Sequence, residues 1–100
     1  MDIAQELRDV QRVLSAVDER LETVQAEGAD AYTTAYQVLA LLDMRVETLI
    51  RAERILSGTE DARAFHPAIQ MTMSRLLAAR ERVDTLEARL MSERQASTLH

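Results

Sequence analysis

The sequence contains no cysteine and no tryptophan, and it has only one proline and two glycines in 100 residues. Its twelve cations are all arginine, so lysine is missing as well. Without cysteine there can be no disulfide framework, no thiol nucleophile and no thiolate-ligated zinc. Gly28 and Gly58 stand alone, so no glycine-rich loop is available to cradle a phosphate. Tyr32, Tyr36 and Phe65 are the only aromatic residues, so Leu, Val, Ile, Met and Ala must fill the interior. Long apolar runs are also missing. The longest uncharged stretch is residues 31–42, and a bilayer needs about 20 apolar residues in a row. Asp2, Glu6, Arg8, Asp9 and Arg12 break up the first turns, which excludes the apolar core of a signal peptide. The expected location is therefore cytoplasmic, with no membrane partner.

What is present points to helices. The chain is 47 % hydrophobic and 29 % charged, and Ala, Leu, Glu and Arg dominate. That is the composition of one domain made of long helices. Arginine without lysine is the bias of a GC-rich bacterial or phage gene rather than of a designed helix surface. The net charge of −5 argues against a non-specific nucleic-acid binder, which needs a basic footprint. The acids are concentrated early, with seven against three arginines from Asp2 to Glu27. The plain reading is solvated helix surface. The sharper one is an acidic face that steers a basic partner.

Three apolar periodicities define three helices. From Ile3 the residues Leu7, Val10, Leu14, Val17, Leu21 and Val24 recur at alternating steps of four and three, an unbroken heptad seam. Leu at one heptad position and β-branched residues at the other disfavour a parallel two-stranded coil and favour a bundle. Gly28 suits the left-handed residue after a helix end, and Asp30 suits the N-cap of the next helix. The second helix carries Tyr32, Tyr36, Leu39, Leu42, Val46, Leu49 and Leu56, with Asp43, Glu47, Arg51 and Arg54 opposite. Its broad apolar surface implies two neighbours. Gly58 ends it, and Thr59 is placed to cap a short turn. Pro67 fits the first position of the third helix and pushes His66 toward extended geometry. That helix uses Ile69, Thr72, Leu76, Ala79, Val83, Leu86 and Leu90 and is expected to fray after Arg94.

The predicted fold class is all-α: an antiparallel up-down-up three-helix bundle with coiled-coil-like packing, open to completion by dimerisation. The expected domain covers residues 1–96, with helices at about 3–27, 31–57 and 67–95 and a flexible tail at 97–100. Helices of similar length place Tyr32 and Tyr36 beside Leu90 and Met91. Ile3, Leu56, Phe65, Met71 and Met73 fall at the other end.

No constellation here carries chemistry. His66 has only Glu60 and Asp61 near it in sequence, short of the three or four ligands a metal site needs. Asp43 and Glu47 share a face, but Arg51 follows one turn later, which marks solvated surface rather than an acid–base pair. Glu53 lies on the seam between Leu49 and Leu56, so it either pairs across helices or marks an opening to solvent. No catalytic residue, metal ligand or cofactor is expected, and the chain is read as a non-enzyme. The candidate partner-binding residues are Tyr32, Tyr36, Phe65, Met71 and Met73. Tyrosine packs its ring while its hydroxyl stays hydrogen-bonded, and methionine adapts to varied surfaces.

The leading expectation is a small regulator or inhibitor, of the anti-activator kind, that binds another protein through a helical face or pairs with itself. A secretion chaperone or secreted helical hairpin is the first alternative. Secreted hairpins of this size carry a Trp-x-Gly turn, which a chain without tryptophan lacks. A weak nucleic-acid binder is the second alternative. It would use Arg75, Arg82 and Arg89, which share one face of the third helix, but Glu81, Asp84, Glu87 and Glu93 interleave with them.

Overall fold

The computed structural model describes residues 2–98. Three α-helices, Ile3–Thr23 (α1), Ala31–Ile55 (α2) and His66–Thr98 (α3), are joined by two 3₁₀ turns, and no strand occurs among the described residues. The Asp2 side chain caps α1, accepting from the Ala4 amide at 3.0 Å. The helix was expected to continue to Glu27. Instead Val24–Glu27 tightens into a 3₁₀ turn that closes on Gly28, whose φ of 75° suits a residue without a Cβ. Asp30 caps α2 as its sequence position implied. It accepts from the Thr33 amide at 2.8 Å and from the Thr33 hydroxyl at 2.9 Å.

The second junction differs from expectation. Thr59 makes no side-chain cap. Its hydroxyl turns back and donates to the Leu56 carbonyl at 2.7 Å, satisfying an acceptor left over at the end of α2. The turn Glu60–Phe65 then runs straight into α3. His66 is correspondingly helical (φ −57°, ψ −50°), not extended. Pro67 disfavours that conformation in its neighbour, but the flanking turns fix His66 from both sides. Of the expected tail, Ser97 and Thr98 continue α3, while Leu99 and His100 lie outside the described residues.

The helices hold 21, 25 and 33 residues, or about 32, 38 and 50 Å at 1.5 Å per residue. Similar lengths were expected. Because α3 is much the longest, its last turns run beyond the body, and the molecule measures 63 × 24 × 21 Å. The central helix is α2, which packs on α1 and on α3, whereas no Cα of α1 comes within 8 Å of one in α3. Side-chain pairs link α2 to α3 in opposing order. Tyr32 reaches Glu87 at 2.8 Å, Arg45 reaches Thr72 at 2.5 Å, and Glu53 reaches His66 at 3.3 Å.

The core follows the seams. From α1 come Val10 and Val17, with Val24 from the turn that follows it, from α2 Leu42, Val46, Leu49 and Ala52, and from α3 Ile69, Thr72, Val83 and Leu86. Burying one Leu or Val side chain of this kind contributes about 1.5–3 kcal/mol. The valine row of α1 is sealed, while Leu7, Leu14 and Leu21 beside it are only half-buried.

Candidate protein-docking site

Arg45 touches all three helices. Its Nε donates to Asp18 of α1 at 2.8 Å and its Nη1 to the Thr72 hydroxyl of α3 at 2.5 Å. Thr72 is 1 % exposed and donates onward to the Ala68 carbonyl at 2.7 Å, so its hydroxyl is satisfied in both roles. This clasp ties α1 to α3 across a gap that their backbones do not close.

At the end where α2 begins, Tyr32 and Tyr36 stand one turn apart with ring centroids 6.3 Å from each other. The Tyr32 hydroxyl donates to Glu87, and that bond, with desolvation, raises its pKa above the ordinary phenol value. A groove runs on from Tyr32 along the overhang of α3, lined by Glu87, Leu90, Met91, Glu93 and Arg94. The expected meeting of the tyrosine pair with Leu90 and Met91 is therefore present at Tyr32. At the end of α1, Arg20 forks onto Glu27 and holds that carboxyl below the usual range through the hydrogen bond.

The second expected group does not form one patch. Phe65 is half-buried, whereas Met71 and Met73 are 68 % and 47 % exposed. Two residues apart on a helix, the methionines point about 160° apart around its axis. Glu53, whose role on the seam was open, pairs with His66 rather than with an arginine. Among the described residues no group of three His, Asp or Glu side chains is arranged as metal ligands.

A surface between α2 and α3 is more continuous. A groove there is lined by Tyr36, Leu39, Ala40, Asp43, Leu76 and Arg80. Tyr36 and Ala40 of its α2 wall are followed at the same four-residue spacing by Met44, which extends their row along the helix. On α3, next to the groove residues Leu76 and Arg80 in sequence, Met73 and Leu77 are spaced in the same way. Tyr36, Met44, Met73 and Leu77 are 47–64 % exposed, although all four are large and apolar. The sequence pattern singled out Tyr36 and Met73 but missed Met44 and Leu77. The available signal was the four-residue spacing of Tyr36, Ala40 and Met44, which runs outside the core stripe.

Set beside family models, curated proteins and solved structures, the chain matches none of them. The class is thus given by the fold and this face: an all-α protein of three packed helices, with large apolar side chains left uncovered on α2 and α3.

Proposed function

We propose that this chain is a small cytoplasmic protein-interaction module, a regulator or inhibitor that docks another protein through the outer face of α2 and α3. In this reading the helices form an up-down-up bundle with coiled-coil-like seams. The short connections and the opposing order of the α2–α3 pairs support that topology. No catalytic residue or cofactor is assigned. Among the described residues, no helix is long and apolar enough to cross a membrane.

One observation carries the proposal. Tyr36 and Met44 of α2 and Met73 and Leu77 of α3 are large apolar side chains on two adjacent helices, each with about half of its surface in water, and Tyr36 lines the groove between the helices. Single exposed apolar residues need no explanation, but four of them on two adjacent helices point to a contact surface. Methionine and tyrosine also suit such a surface, the first by adapting its shape and the second by combining a ring with a polar tip.

The test is affinity capture from the native host, using wild type and a Tyr36→Glu/Met73→Glu double variant. A stoichiometric protein held by wild type and lost by the folded double variant is the expected result. Equal capture by both chains would remove this face from the account.

A further inference from the structure

We infer that the cavity at the junction of α2 and α3 is an anion site that takes the phosphate group of a monoester. The site is separate from the docking face on α2 and α3, and it stands or falls without that reading.

The first argument is the set of donors. The cavity holds about 300 Å³, the small end of the range for ligand sites, and its polar lining is Glu53, Arg54, Ser57, Arg63 and His66, with Gly58 in the turn. Arg54 lies in the last turn of α2 and Arg63 in the turn Glu60–Phe65, so two separate elements bring guanidinium groups to one cavity. Neither arginine takes part in the ion pairs found among the described residues. The carboxylate in the lining, Glu53, is engaged instead by the His66 ring, with Nδ1 at 3.3 Å. The Ser57 hydroxyl has no hydrogen-bond partner among the described residues. Beside Gly58, whose φ is 88°, a Cβ would meet only open space. A planar carboxylate is filled by a single guanidinium fork. Two arginines, a hydroxyl and an imidazole match the three free oxygens of a phosphate monoester better, and arginine clusters are a general means of reading that group.

The second argument is how the junction sorts its charges. Arg51, Glu60 and Asp61 are exposed neighbours in sequence. Counted together with Glu53, Arg54 and Arg63, they balance. The cavity does not sample them evenly. Arg54 and Arg63 line it, whereas Glu53 is the only one of the three acids that does. Two arginines against one carboxylate leave the lining one positive charge in excess, and a proton on His66 adds another. A bound anion meets these groups at contact. The charges outside the lining act on it through water, where salt screens them. Glu53 is the opposing group, so it limits affinity while it holds the imidazole at the wall.

An NMR titration of the full chain tests this, with circular dichroism confirming that each variant folds. The probes are inorganic phosphate, free phosphoserine, a peptide containing phosphoserine, and acetate. Phosphate should shift the amides of Gly58 and His66 saturably at millimolar concentration, and acetate should bind about ten-fold more weakly. Arg54→Gln and Arg63→Gln should each weaken phosphate binding by about ten-fold. Glu53→Gln should strengthen it several-fold, because the opposing charge is gone. Arg51→Gln removes the same charge from the same helix but outside the lining, and should change binding by less than about two-fold. Phosphate that shifts no amide at the junction overturns the inference. So do equal losses from Arg51→Gln and Arg54→Gln, which mean diffuse attraction, and acetate binding as tight as phosphate. Tighter binding of the peptide than of free phosphoserine supports the site and assigns its phosphate to a protein partner. The reverse order supports it as a site for a small phosphate ester.

Discussion

The first and third helices carry the same kind of apolar spacing and put it to different use. In α1 and the turn after it the valine row is sealed from Val10 to Val24, and only Ile3 at its head is open, at 55 % exposed. In α3 the buried row begins at Ile69 and stops at Leu86, and the next member, Leu90, is 45 % exposed. Spacing decides which side chains share a stripe. Whether the stripe is covered depends on how far the neighbouring helix extends. Because α2 begins at Ala31, level with Glu87 through the Tyr32 bond, the later turns of α3 meet only the first residues of α2 and then run past it.

The sharpest way to break this contrast is to remove equivalent leucines. Leu86→Ala should cost about 2–4 kcal/mol in chemical denaturation, because it opens a cavity in packed surroundings. Leu90→Ala, four residues later, should cost less than about 1 kcal/mol. Similar losses at both positions would show that the overhang is packed after all. The clasp comes next in size. Arg45→Ala should lower stability by about 1–2 kcal/mol, a figure held down because the Asp18 side chain is 49 % exposed. Thr72→Val should lose about half as much. The effect of Arg45→Ala should be largely absent in an Asp18→Ala background if its main partner is in α1, as a double-mutant cycle would show.

A third test concerns the cap on which α2 starts. Asp30 has its pKa lowered from 3.8, first by the Thr33 amide and then by the Thr33 hydroxyl. A carboxyl whose folded value is depressed stabilises fully above its unfolded value, and the benefit fades as pH falls through the folded one. Helicity and stability should therefore drop more steeply with acid below that ordinary value in wild type than in Asp30→Asn. Parallel acid profiles would remove the charge from the capping account. The smallest effect belongs to the overhang. A chain ended after Arg89 should keep its denaturation midpoint, and a lowered midpoint would assign the overhang a structural role.

Much of this architecture was legible in the sequence. The three apolar periodicities, the Asp30 cap and the terminating positions of Gly28 and Gly58 all followed from local chemistry. The groove shared by Tyr32, Leu90 and Met91 agrees with the expectation that the two residue groups lie at the same end. Other features depend on three-dimensional arrangement. The heptad seam of α1 does not reveal that valines rather than leucines point at α2, because that depends on the rotation of the helix against its neighbour. Arg45 lies among Leu42, Val46 and Leu49 in a position that reads as a break in the stripe, yet the polar Thr72 in the seam of α3 was its match. Met71 and Met73 looked like a cluster because they are close in sequence, but a helix separates such neighbours. Met44 and Leu77 were hidden because apolar residues beside a core stripe read as part of the core.

The absence of close backbone approach between α1 and α3 has a kinetic consequence. Every helix–helix interface joins segments adjacent in the chain, so two hairpin-like closures can form without a long-range search, and folding should be fast. The same economy lets the layers separate in turn. With Arg45 as the polar tie between the outer helices, amides of α1 should exchange with solvent through a partial opening that leaves α2 and α3 paired.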